Sequence, residues 1–301
     1  MLRQRTTKRA VSVAGVGLHS GGGTRLTVRP AGADTGIVFR RIDHGLGEPI
    51  LATAANVVDT RLATSLGMGD TRVATVEHLL AAFAGLGVDN ALVDVAGEEL
   101  PVMDGSAAPF VRLLRAAGVR EVAAPKRFLR VLREVSVADG EAVARLQPYD
   151  GFRVEYTMEY DHPFFDGRPQ YAVVDFATAI FERDVSHART FGFLADVAKL
   201  QAAGLALGGG LDNAVVLDDH GIINDGGLRY PDEFARHKIL DVIGDLYLCG
   251  HPIIGAFSGR RSGHTTNNAL LRKLLADQTS YQVVTFDVPA AAPVDLYQAA
   301  G

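Results

Sequence analysis

The densest chemistry in the chain lies in one short stretch, where His237, Asp241 and Asp245 follow one another at intervals of four residues. On a helix that spacing places all three on one face. An imidazole and a carboxylate one turn apart reach a single small cation. Zinc accepts nitrogen and oxygen donors, and a catalytic zinc takes three from the protein and keeps a fourth position for water. The same spacing also describes an ordinary ion pair on a hydrated helix face, and the stretch alone does not separate the two. A third ligand must come from elsewhere. Among the nine histidines, His78 stands out because Glu77 precedes it inside an otherwise apolar stretch. Neighbouring helical residues point about 100° apart, so a carboxylate beside a ligand reaches the open position without binding the ion. A general base needs that placement. The plainer reading is an acidic first turn favoured by the helix dipole. His264 sits in a Gly-bearing loop ahead of a helix, as a cap, a solvent-facing residue or an acid. In the last case Asp245 is its natural partner, holding the ring and raising its pKa.

Elements must bring these groups together. Strand-like alternation dominates residues 9–58, as in Thr24 to Arg29 and Gly36 to Arg40. The pattern then predicts a helix over 77–86, a strand over 90–96, a polar loop through Ser106 and a helix over 107–117, with Gly118 at its C-terminal cap. The second half repeats that order: helix over 234–248, strand over 253–257, loop over 259–263, helix over 267–276. This weak repeat predicts an α+β fold of two similar domains, 1–126 and 127–301, joined near Ala124 to Arg127. Each would be a sheet layer against a helix layer, with a small insert, and the helices of the two would face each other. One segment, Gly192 to Asp219, interrupts the second copy; it reads either as a surface excursion or as an apolar wall beside a site. Two glycine runs, Gly21 to Gly23 and Gly208 to Gly210, lack the Lys-Ser/Thr of a nucleotide loop and are read as turns.

Bulk properties remove several function classes. The 301 residues suffice for two cores. With 48% apolar and 22% charged residues, the chain is expected to be globular rather than disordered. A net charge of −5 gives no nucleic-acid footprint, which needs a clustered basic face. Cys249 is the single cysteine, which rules out a disulfide within the chain and suits a packing role. The basic start leads into an alternating stretch broken by Gly15 and Gly17, which reads as a strand and not as a signal core. No run approaches the roughly 18 apolar residues of a membrane span. A cytoplasmic monomer is expected.

Separated motifs then occur in order: Thr75 to Asn90, Pro101 to Ser106, Arg189 to Phe193, His237 to Asp241 with Gly244 and Asp245, and Ser262 to His264. Together with Gln4 to Thr6 and Gly15 to His19, they span nearly the whole chain. The sequence resembles the UDP-3-O-acyl-N-acetylglucosamine deacetylases, zinc amidases of lipid A synthesis. The resemblance implies one zinc per chain on His78, His237 and Asp241, with Glu77 as general base. It implies a protonated His264 steadied by Asp245, and Thr190 hydrogen-bonded to the tetrahedral intermediate. Lys238 and Phe191 match substrate-contacting positions, Tyr160 an aromatic for uracil, and Arg261 a basic residue for the diphosphate. The 192–219 insert matches an acyl-chain passage, with Leu205, Ala206 and Leu207 expected along it. His19 is expected to serve structure, and His44, His162, His187, His220 and His251 find no partner in the sequence. Two other readings stand beside this one: a zinc deacetylase of another N-acetyl sugar, and a non-catalytic UDP-lipid sensor, which would have lost Glu77 or a ligand.

Overall fold

The computed structural model describes residues 1–43, 45, 47–166 and 170–296, so His44 lies outside the described residues. The first half runs β1 (Arg3–Thr7), β2 (Val11–Val16), β3 (Gly23–Pro30), β4 (Ile37–Arg41) and β5 (Ile50–Leu51). A three-stranded insert follows, β6 (Val57–Asp59), β7 (Ser65–Met68) and β8 (Thr71–Val73), and then α1 (Glu77–Gly85), β9 (Ala91–Ala96), α2 (Ala108–Ala117) and β10 (Val119–Pro125). The second half runs β11 (Phe128–Val131), β12 (Val135–Asp139), β13 (Ala142–Gln147), β14 (Phe152–Met158) and β15 (Gln170–Asp175). A short turn, α3 (Thr178–Ile180), continues as π-helix over Phe181–Val185. The second insert holds β16 (Phe191–Phe193), α4 (Leu194–Ala202), β17 (Val215–Asp218) and β18 (Gly221–Ile222). The half closes with α5 (Glu233–Tyr247), β19 (Ile253–Arg260), α6 (His264–Ala276) and β20 (Tyr281–Val284).

Sheet topology makes the faint sequence repeat explicit. The first half orders its strands β2-β3-β9-β4-β5, and the second places β12, β13, β19, β14 and β15 in the same succession. Both successions pair antiparallel, antiparallel, parallel, antiparallel. The antiparallel pair β1-β10 has its counterpart in β11-β20. An α+β architecture with one insert per half results, as the sequence pattern predicts.

Strand burial alternates where one face is wet, as in β3, whose Leu26 and Val28 are fully buried between exposed or half-buried neighbours. The helix α1 is different: all nine of its residues are buried. A helix apolar on nearly every face suits a position covered on every side, and α1 packs against α5 from the other half. Gly244 makes that approach possible. A Cβ there would stand 2.1 Å from the Glu77 carbonyl oxygen, so α5 closes onto the first turn of α1 only with glycine at this position.

Two boundaries differ from expectation. The strand predicted to end at Phe257 runs on to Arg260, because Gly259 is paired on both edges, with Ala144 and Tyr156. The last helix starts at His264 rather than Asn267. Gly263 is its cap, with its N–H donating to the Thr266 hydroxyl at 2.9 Å and its carbonyl accepting from the Asn267 N–H at 2.9 Å. His264 is thereby the first residue of α6, not part of a free loop.

Candidate active site

Three buried side chains from two helices converge where α1 meets α5. His78, His237 and Asp241 each offer one donor atom, all within 4.8 Å of one another. Asp241 Oδ1 lies 3.6 Å from His78 Nε2 and 3.4 Å from His237 Nε2. Those gaps are too long for good hydrogen bonds, and Oδ1 is buried with no hydrogen-bond partner among the described residues. Donors about 2.0–2.1 Å from one ion at tetrahedral angles stand about 3.4 Å apart, so the donor set fits a metal. The orphaned buried oxygen is the observation that decides the fit, since such an atom is costly unless something binds it. Surrounding groups fix the ligands. His237 Nδ1 faces the Ala188 carbonyl at 3.1 Å, which leaves Nε2 turned inward. Lys238 donates to Asp241 Oδ2 at 3.1 Å, which leaves Oδ1 available to an ion.

Electrostatics favour the protonation states such a site needs. Burial pushes His237 down to about 4, so its ring is neutral and able to ligate. Burial favours the neutral acid of Asp241, but His237 and Lys238 outweigh it and hold the carboxyl well below the usual range. Glu77, on the same turn as His78 and 2% exposed, is moved the other way: burial raises it. One of its oxygens accepts the Thr64 N–H at 3.0 Å, and the other lies 3.9 Å from His264 Nε2. On His264 burial opposes the charge, but the carboxylates of Asp245 and Glu77 prevail and raise it to about 10. The His264–Asp245 contact is 2.8 Å, and Asn267 donates to the same carboxylate at 2.9 Å.

Glu77, His78, His237, Asp241 and His264 line a cavity of about 630 Å³ formed by both halves. Thr190, Phe191, Lys238, Tyr160 and Arg261 all lie on its wall. Phe191 meets the His237 ring edge-on, and the Lys238 ammonium stands 5.4 Å over the Phe191 ring. Tyr160 is 45% exposed and belongs to an aromatic group with Phe165, Phe191 and Phe193. Arg261 adopts φ +53° and is ion-paired with Glu141 and Glu159.

The insert corrects part of the expectation. Of Leu205, Ala206 and Leu207, only Ala206 lines the cavity; Leu205 is half-buried off its wall, and Leu207 is 51% exposed. The apolar lining comes instead from Val197 and Leu200 on α4, with Leu18, Phe193, Leu211 and Ile223. The reason is a backbone junction between the two glycine runs. Leu207 and Gly208 donate to the carbonyls of His19 and Leu18, and a Cβ on Gly208 would stand 2.2 Å from the Gly17 oxygen. That docking fixes residues 205–208 by their backbone and turns Leu207 outward.

His19 lines the cavity, and both of its ring nitrogens are buried without a partner among the described residues. Its backbone N–H and that of Ser20 bind the buried Glu99 carboxylate, which also accepts from the Thr75 hydroxyl at 2.8 Å. Glu99 and Thr64 escape sequence reasoning because neither shares a helix face with another chemical group of the site. Only the fold brings them in.

A family model described as UDP-3-O-acyl N-acetylglycosamine deacetylase matches residues 4–276. The chain belongs to this deacetylase family. Proteins named UDP-3-O-acyl-N-acetylglucosamine deacetylase are similar over nearly the full length. That of Marinobacter nauticus is 54% identical over 294 residues, 98% of this chain and 97% of the relative. That of Nitrosococcus oceani is 54% identical over 295 residues, with the same coverage of both. The Pseudomonas entomophila protein is 52% identical over 294 residues, again covering 98% and 97%. The deacetylase family match thus takes in both halves, including each helix that contributes to the cluster.

Proposed function

We propose that this chain hydrolyses the N-acetyl group of UDP-3-O-acyl-N-acetylglucosamine, releasing acetate, an early committed step of lipid A biosynthesis. The observation that carries the reading is Asp241 Oδ1, unpartnered among the described residues, between two inward imidazoles, with Glu77 and His264 beside it, in a member of this family. The proposed ion is one zinc per chain, because a two-nitrogen, one-oxygen donor set at tetrahedral spacing suits it. A zinc held there supplies Lewis acidity toward the amide carbonyl and acidifies water.

The chain's residues supply the rest. Glu77, made more basic by burial, takes a proton from water as the water oxygen bonds to the acetyl carbon. The C–N bond then breaks, acetate leaves, and the sugar amine departs with a proton. The charged His264, held by Asp245, faces the negative charge that develops on the carbonyl oxygen, and the Thr190 hydroxyl donates to it. Tyr160 offers an aromatic face to the uracil. Arg261 meets the diphosphate, which would replace the acidic partners Glu141 and Glu159. The acyl chain lies along Val197, Leu200 and the adjoining apolar wall. In this reading residues 1–126 and 127–301 act as two domains that share one site.

Acetate release by the purified protein tests the proposal. Turnover of the acylated UDP-sugar should be lost on chelation and restored by one equivalent of zinc. Absence of acetate with zinc bound, or equal turnover of free N-acetylglucosamine, would refute it.

A further inference from the structure

Thr64, just ahead of β7, enters the site from a segment with no chemistry-bearing pattern of its own. It is 1% exposed, and each of its polar groups is committed. Its carbonyl accepts the Val76 N–H at 3.2 Å, and its N–H donates to Glu77 Oε2 at 3.0 Å. Its hydroxyl donates to Asp245 Oδ1 at 2.6 Å. The same oxygen lies 3.3 Å from His264 Nδ1, whose nearer partner is Asp245 Oδ2 at 2.8 Å.

The proton count fixes the directions. A hydroxyl has one hydrogen, and an ionised carboxylate only accepts, so the Thr64 proton goes to Asp245. The lone pairs left on Oγ1 face the Nδ1–H of His264 and take a minor share of its hydrogen. Nδ1 is thereby held between two acceptors, and Nε2 is turned toward Glu77 and the cavity. Thr64 belongs to the first half, and Asp245 and His264 to the second. One residue therefore bonds the base through its backbone and the imidazole's carboxylate through its side chain.

We propose that Thr64 is a positioning residue for deacetylation, setting the geometry between Glu77 and the His264–Asp245 pair across the two halves. The inference rests on the reaction proposed above, so its test includes a measurement without substrate. Thr64→Val keeps the side-chain shape and the backbone N–H but removes the hydroxyl, whereas Thr64→Ser keeps the hydroxyl.

In the zinc-loaded enzyme Thr64→Val should lower kcat about ten- to a hundred-fold, as expected for losing one hydrogen bond to a charged acceptor. KM and metal content should stay near wild type, and Thr64→Ser should restore most of the rate. Placed on Asp245→Asn, Thr64→Val should cost little more, because the two act as a unit. The Nδ1–H proton resonance of His264, read in the absence of substrate, should move in Thr64→Val and return in Thr64→Ser. A wild-type kcat in Thr64→Val, equal losses in both variants, full additivity with Asp245→Asn, or an unmoved resonance would each overturn the proposal. A resonance that moves in a protein releasing no acetate would instead uphold the positioning and refute the assigned reaction.

Discussion

If the apolar side of the cavity receives the acyl chain, a bulky residue on α4 should convert a preference for long chains into a preference for short ones. Val197→Trp is the clean perturbation. Val197 lies inside a helix, lines the cavity and is half-buried, so the ring extends into the passage without backbone strain. Ala206 is the poorer choice despite lining the same wall, because its φ of +54° already strains any bulky side chain. The cavity of about 630 Å³ is within the size range of sites that enclose a drug-sized ligand, so it has room for the sugar and part of a chain. Each methylene taken from water contributes at most about 0.8 kcal/mol, so two carbons are worth at most about a fifteenfold change in kcat/KM. Ordering the chain on binding reduces that slope. If the introduced indole excludes four methylenes, the longest substrates lose up to about two-hundredfold and substrates too short to reach α4 lose almost nothing. The assay is kcat/KM across acyl lengths from four to fourteen carbons, with zinc content measured on each preparation. Parallel profiles for wild type and variant would remove the passage from α4. Equal kcat/KM for acylated and unacylated UDP-N-acetylglucosamine would remove it altogether.

Metal analysis should find about one zinc per chain, and His237→Ala or Asp241→Ala should abolish it; full occupancy in either would dissolve the ligand set. Glu77→Gln should retain the metal and the fold while kcat falls about 10²–10⁴-fold, the usual contribution of a positioned base; a near-normal rate would exclude Glu77. The rate should also be bell-shaped in pH. Glu77 must be ionised, so its raised pKa places the acid limb above the ordinary carboxylate range. His264 must be charged, so activity persists below its pKa and falls as pH rises through about 10. Asp245→Asn removes the carboxylate that opposes burial and should move that basic limb to lower pH; a limb that stays in place would assign it to another group.

How much of this site is legible in the sequence depends on where each partner comes from. His237, Asp241 and Asp245 are one helix face, so helical period alone groups them. Glu77 and His78 are conspicuous as two polar residues in a run that is otherwise Leu, Ala and Phe. Periodicity also carries the helices α1, α2 and α5 to within a residue or two of their ends. Contacts between segments far apart in the chain are not periodic. Thr64 reaches Asp245 across 181 positions and Glu99 reaches His19 across 80, and no local pattern marks either. The outward turn of Leu207 has the same origin. Composition marks residues 205–207 as apolar, but their direction is set by backbone bonds to Leu18 and His19 in the other half.

The repeated topology explains why the chemistry lies where it does. In each half one helix, α1 or α5, occupies the position between the fifth strand with its insert and the central strand, and these two helices pack against one another. A duplicated unit would bury two apolar faces there, and most of α1 still reads that way. Glu77, His78, His237, Asp241 and Asp245 are all buried at 2–3% exposure along this seam. Apolar residues of similar volume at such positions are often as stabilising as a buried charged set, or more so. Stability therefore does not account for five ionisable groups on one helix–helix contact, and local rules are broken where function requires it. On the proposed reading the two halves complement each other: the first would supply the base and one imidazole, and the second the remaining ligands and the charged histidine. Neither half holds a complete set. On that reading hydrolysis depends on the α1–α5 contact that Gly244 permits, and loosening that contact would separate Glu77 from both the proposed ligands and His264.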